Sequence, residues 1–395
     1  MALGRLFRPS LLANHYPPLH GLRVLGILAI VQIHLGFEAV MRGLLTATHP
    51  LYVVTQRLWF SMDLFFVLSG FLIGQLLLAP GGGGGLGRFY ARRSFRIVPL
   101  YYAVLTLLAV SAPLEPLKRA QLWREYAYLT NYSDTAHVVM FWGWSLCVEE
   151  HFYLFVPLLL LGLRKLPGHR SRLGALGLLW ASAAVVRLVI AHSLIGATDP
   201  TLGFRKVYIP THTRFDTLIA GVALAYVVRT WPGPLREALG SARVRRSMLA
   251  VSAVAFLALL IPPPLPAWVW TGFSLGTVTS VAWAGVILHL LHVPSLTARV
   301  LGSRAFLWVA TLGYGVYLVH MPVVLTVGLG SMWALRRGGV SPGLAFVVAV
   351  VIAFVVALVD AYVLHLLVEK PALWLRDRLA PDPNRAPRPA PPPAP

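Results

Sequence analysis

The sequence is poor in charge, poorest in acidic residues, and nearly devoid of cysteine. Charged residues fill 12% of the 395 positions, about half the share found in an average soluble domain. So few cannot cover a water-facing surface. Cys147 is the sole cysteine, which excludes an internal disulfide and a cysteine-built metal cage. The 14 acidic residues face 34 basic ones, an imbalance that normally raises nucleic acid as a partner. Here the basic residues fall in short stretches between apolar runs, as topology signals do, so no nucleic-acid partner is expected. A simple signal peptide is not expected either. Arg5 and Arg8 are followed by polar, proline-containing sequence up to His20, so the first apolar run starts late and reads as a retained helix.

What is abundant is apolar: 57% of the residues are hydrophobic. Runs long enough to cross a bilayer core of about 30 Å recur at roughly 22–41, 58–79, 97–112, 144–163, 173–195, 215–229, 247–262, 267–291, 305–329 and 342–368, the third and sixth being short. The expected fold is all-α: a polytopic transmembrane helical bundle of about ten spans. Lys and Arg are about twice as frequent in one set of alternate loops as in the other, which puts both termini in the cytoplasm. The glycine run Gly81 to Gly85 reads as a spacer without regular structure. The stretch from Pro381 to Pro395 is rich in Pro and Ala and reads as disordered. The expected division is a cytoplasmic N-terminal tail at 1–19, a transmembrane domain at 20–372 and a Pro-rich cytoplasmic tail at 373–395, with no internal repeat.

A polar side chain at membrane depth is costly and usually borders a cavity. Arg23 and His34 stand three helical turns apart in the first run, on one face and about 16 Å from each other. An imidazole titrating near neutrality suits removal of a proton from an alcohol, the demand of acyl transfer; a histidine that only packs against a neighbouring helix is the plain alternative. In the second run Asp63 is placed to orient an imidazole, with Ser69 and Gly70 deeper. The glycine suits close helix packing. After the glycine run Arg88, Arg92 and Arg96 recur every four residues, with Arg93 beside them. Such a ridge suits phosphates, which guanidinium binds bidentately, and equally suits lipid headgroups. The fourth run opens WGWSLCVEEHFYLFVP. Adjacent helical side chains diverge by about 100°, so one of Glu149 and Glu150 is expected to face a cavity and the other to be structural. THTRFDTLIAG sets Arg214 and Asp216 at the entrance of the sixth run, GYGVYLVHMPV puts His320 in the ninth, and Glu369 with Lys370 reads as an end signal after the tenth. Arg187 stays inside a helix without an assigned partner. Buried His, Asp and Glu would also serve a proton-coupled secondary transporter, although no inverted repeat is visible.

Taken in order, these motifs resemble the acyltransferase-3 family of membrane O-acyltransferases, over about residues 19–372. The matching elements are Arg23 and His34, FFVLSGF, an RxxRI-P-Y stretch through Arg93, Arg96, Pro99 and Tyr101, and WSLxVEExFY from Trp144 to Tyr153. RFDxLxxG follows from Arg214 to Gly221, then YxVYLxHxP from Tyr314 to Pro322, and a terminal EKP. The chain departs from the family at Gly313, where Ser is usual, and at Val319, where Trp is usual. The resemblance implies an enzyme of the bacterial cytoplasmic membrane that uses acyl-CoA, acetyl-CoA in the first instance, and no metal. The implied acceptor is a hydroxyl of a carbohydrate, glycolipid or glycosylated small molecule. His34 would be general base or acyl carrier, oriented by Asp63, Glu149 or Glu150. Arg23, Arg92, Arg93 and Arg96 would hold the donor. Ser69, Trp144, Ser145, Tyr153, Arg214, Asp216, Tyr314 and His320 would surround the acceptor or support the site.

Overall fold

The computed structural model describes residues 11, 15–111, 113–261 and 264–381; the expected N-terminal tail up to residue 10 and the Pro-rich tail from residue 382 on lie outside them. Among the described residues there are helices and no β-strand, because a backbone surrounded by lipid must satisfy its own N–H and C=O groups, which a helix does locally. The main helices are α1 (Pro18–Met41), α2 (Ser61–Leu77), α3 (Leu86–Ser111), α4 (Trp144–Arg164), α5 (Gly168–Ser193) and α6 (Phe215–Thr230). They continue with α7 (Ala242–Leu260), α8 (Thr279–His292), α9 (Arg304–Val323), α10 (Pro342–Leu364) and α11 (Lys370–Leu379).

Among the described residues each of the ten apolar runs is mainly helical, the eighth being interrupted at Leu275 and Gly276. Eight helical stretches among the described residues are long and apolar enough to cross a membrane, and a ninth is added if α6 and Pro232–Gly240, bent by 95°, make one span. The protein is therefore a multi-pass, all-α integral membrane protein. α7 falls outside that set: Arg243, Arg245 and Arg246 crowd its first turns. The third run, expected to be short, is a helix of 26 residues, whereas α6 has 16, or about 24 Å. Buried against α2, α5 and α8, α6 is shielded by protein along its length.

Two packing features position the rest. On α10, Ala345, Ala349, Ala353, Ala357 and Ala361 are buried, whereas Val347, Val351, Val355, Val359 and Val363 are exposed. This is the arrangement that lipid selects, with small residues inside for close helix approach and larger apolar ones outside. α2 and α6 approach more closely still. A Cβ on Gly70 would lie 2.0 Å from Leu218 O, and one on Gly221 would lie 2.2 Å from Val67 O. At the end of α2 the glycine run closes a 3-10 turn at Gly82–Gly84 and so has more structure than a spacer. At the other end of the chain, α11 carries helix into the stretch expected to be a tail. Leu373 is buried there, and Asp377 pairs with Arg92 of α3 at 3.6 Å.

Candidate active site

Five helices meet around a cavity of about 230 Å³. α1 contributes Arg23 and Ile27; α2 contributes Met62, Phe65, Phe66 and Ser69; α3 contributes Arg93, Arg96 and Ile97. α4 adds Ser145, Leu146, Glu149, Glu150 and Tyr153, and α9 adds Ala310, Gly313, Tyr314 and Tyr317. Within each helix these residues recur at three- and four-residue spacing, and adjacent pairs such as Phe65 with Phe66 and Ser145 with Leu146 widen the lining face. The polar content is three guanidinium groups, two carboxyl groups and a set of hydroxyls.

Ser69 Oγ donates to Glu149 Oε1 at 2.5 Å, and Tyr153 OH donates to Ser69 Oγ at 3.4 Å. Arg93 lies over the Tyr153 ring at 5.4 Å and near the Phe89 ring at 6.0 Å. Among the described residues neither Arg23 nor Arg93 closes an ion pair. Arg96 does, with Glu369, which is buried and also accepts from His365 Nδ1 at 2.6 Å. Glu369 is thus a buried bridge and not an end signal. Both Glu149 and Glu150 border the cavity, contrary to the expectation that one would turn away. The cavity wraps far enough around α4 to meet side chains about 100° apart. Arg92 faces out of it, bonding Ala380 O at 2.7 Å, because one step along α3 from Arg93 turns a side chain by the same angle.

His34 sits elsewhere, next to His320. His34 Nδ1 lies 3.0 Å from Ile30 O and 3.2 Å from His320 Nε2, while His320 Nδ1 lies 2.5 Å from Tyr317 O. Carbonyls only accept, so both Nδ1 atoms carry protons and His320 Nε2 is the acceptor between the rings. That assignment leaves His34 Nε2 with its lone pair uncommitted. Of the carboxylates expected to orient His34, Asp63 is engaged with an arginine instead, and Glu149 accepts from Ser69. Asp63 accepts from Arg214 at 2.5 Å, and Asp216 from Arg187 at 2.7 Å, all four side chains being fully buried. Arg187 also donates to Thr213 O at 2.6 Å and Gly272 O at 2.9 Å. Sequence reading missed this role, although a guanidinium in mid-run and a carboxylate without a partner were both visible.

Of the supporting residues, Ser69, Ser145, Tyr153 and Tyr314 line the cavity, whereas Trp144 packs edge-on against Phe66 at 6.1 Å and Tyr208 at 5.1 Å. Arg214 stacks on that same Tyr208 ring at 4.8 Å. Tyr317 was not singled out from the sequence, yet it touches both centres. Its hydroxyl donates to Trp142 O and accepts from Ser145 Oγ, each at 2.5 Å. Its carbonyl holds His320.

Residues 17–364 match the family described as "Acyltransferase domain" (Acyl_transf_3). The chain is 25% identical over 332 residues to the peptidoglycan O-acetyltransferase OatA of Listeria monocytogenes, covering 79% of this chain and 50% of that one. It is 27% identical over 340 residues to YrhL of Bacillus subtilis, provisionally named a peptidoglycan O-acetyltransferase, covering 79% and 49%. A Staphylococcus aureus protein, provisionally named an O-acetyltransferase, is 25% identical over 339 residues, covering 79% and 51%. The chain spans about half the length of these relatives. No solved structure matches.

Proposed function

The chain belongs to the acyltransferase-3 family, and from that premise we propose that it moves an acyl group, acetyl in the first instance, from acyl-CoA to a hydroxyl of a carbohydrate, glycolipid or glycosylated small molecule. The observation that carries this reading is the pairing of an arginine-lined cavity with a histidine pair joined to its wall through Tyr317. Unpaired guanidinium groups favour the phosphates of the donor. The cavity of about 230 Å³ is smaller than the roughly 300–1,000 Å³ of a site that encloses a whole small ligand, so it takes one part of the donor. His34 Nε2 accepts the proton of the acceptor hydroxyl as its oxygen attacks the thioester carbonyl. The thiolate of coenzyme A leaves and takes that proton back from the imidazolium. Alternatively His34 is acylated first and the acceptor attacks second; both routes use the same nitrogen. His320, accepting from His34 Nδ1, keeps that tautomer in place. The 20–372 segment is the transferase domain of this reading, with both termini in the cytoplasm and the donor entering from that side.

Transfer of label from radioactive acetyl-CoA to a soluble chito-oligosaccharide by the purified chain tests the proposal. His34→Ala is expected to lower the rate about 10²- to 10⁴-fold, the range for a positioned general base, while the elution volume of the solubilised protein stays unchanged. Activity within a few fold of the parent would remove His34 from the mechanism.

A further inference from the structure

At the end of the bundle where α2, α4 and α6 finish, two cavities adjoin. One, of about 550 Å³, follows the chain from Leu77 through the glycine turn to Leu86, with Arg164 on its far wall. The other, of about 370 Å³, is walled by Arg164, His169, Arg172, Tyr226 and Arg229. They share Leu78, Leu160 and Arg164 and so make a single cleft, which has no lining residue in common with the cavity of the proposed transfer site.

Among the described residues three guanidinium groups and no carboxylate line this cleft. Arg172 donates from Nε to Leu166 O and from Nη2 to Arg164 O, both at 3.1 Å, and Arg229 donates from Nη2 to Gln75 O at 2.7 Å. Those carbonyls hold two of the cations in place without cancelling their charge. N–H groups remain on Arg172 Nη1 and on Arg229 Nε and Nη1. The Arg164 side chain makes no hydrogen bond or ion pair among the described residues. Facing it, Gly81, Gly82 and Gly85 present no side chain, so an anion can approach the backbone closely. Basic residues that serve only topology need no concave surface. Here three like charges converge on one, a repulsion that a bound anion relieves.

We propose that this cleft is a second, phosphate-binding site, distinct from the transfer site. Arginine forks match phosphate oxygens bidentately, and that chemistry is offered both by a soluble nucleotide and by an anionic lipid headgroup. Two probes separate the sources. Adenosine 3′,5′-bisphosphate, titrated calorimetrically into the full chain in neutral detergent, represents the first. Nanodiscs of phosphatidylglycerol against phosphatidylcholine, with retained lipid counted by native mass spectrometry, represent the second. Arg164→Gln is the primary variant, because that side chain makes no hydrogen bond or ion pair among the described residues; Arg229→Gln is the second. At least one probe is expected to bind the parent and to bind each variant about tenfold or more weakly, as loss of a hydrogen bond to a charged group implies. A nucleotide response assigns a soluble phosphate and a lipid response a headgroup, while Arg93→Ala in the same titration isolates any contribution of the transfer cavity. Binding to both variants equal to that of the parent, or no binding of either probe to the parent, overturns the proposal. His34→Ala should leave binding intact, so failure of the transfer reading and failure of this one are told apart.

Discussion

Asp63 with Arg214 and Asp216 with Arg187 place four charges at full burial near one end of the bundle. Bringing such charges out of water is costly, and the mutual attraction offsets that only while both partners stay. Arg214→Ala should therefore destabilise the protein by about 3–5 kcal/mol, seen as a lower midpoint in fluorescence-monitored thermal unfolding in detergent. An unchanged midpoint would show that Asp63 has found another partner or has become neutral. The arginines of α3 divide differently. Arg93 lines the cavity and Arg92 bonds the end of α11. Arg93→Ala is expected to weaken binding of a non-hydrolysable acyl-CoA analogue by about 1.5–3 kcal/mol, whereas Arg92→Ala should barely change it. Equal losses in the two variants would mean that the ridge acts through its field and not through contact. Each residue type was legible in the sequence as chemistry out of place in an apolar run. Its partner was not: Asp63 meets a residue 151 positions away, and His34 meets one 286 away.

At the scale of elements, the approach of α2 to α6 sets the geometry of the cavity wall that carries Ser69. Gly70→Ala puts a methyl group 2.0 Å from a backbone oxygen, and since neither backbone can rotate away, the helices must part. Overpacking of this kind costs about 1–3 kcal/mol. Gly162→Ala is the matched control on α4: nothing lies within 4 Å of a Cβ there, and replacing a helical glycine gains up to about 1 kcal/mol. Unfolding midpoints should move in opposite directions in the two variants; a fall in both would mean that Gly162 has a packing role too. The packing role of Gly70 was legible from a small residue inside an apolar run. The full length of α3 was not, because its first turns carry Arg88, Arg92, Arg93 and Arg96, and a window on hydrophobicity stops at charge even where the hydrogen-bonded helix continues.

For the molecule as a whole, the division of basic residues between alternate loops makes a side-specific prediction. Because Cys147 is the only cysteine and is buried, a Cys147→Ser background leaves single introduced cysteines as the only labels. Cysteines at 88 and 240 should react with an impermeant maleimide from the same side of the membrane, and one at 136 from the other. Labelling of 88 and 240 from opposite sides would rule out the ten-span arrangement. Composition and the length of its apolar runs determined that this chain is a helical membrane protein, since the need to satisfy the backbone within lipid acts on every segment locally. The order of its motifs determined the family. Tertiary structure alone decided that both glutamates share one cavity with Arg23, Arg93 and Arg96, that His34 rests on His320, and that Asp63 and Asp216 are taken up by arginines. Helical periodicity gives the direction in which a side chain leaves its own axis, but the neighbour it meets depends on how separate helices pack, and no local pattern records that.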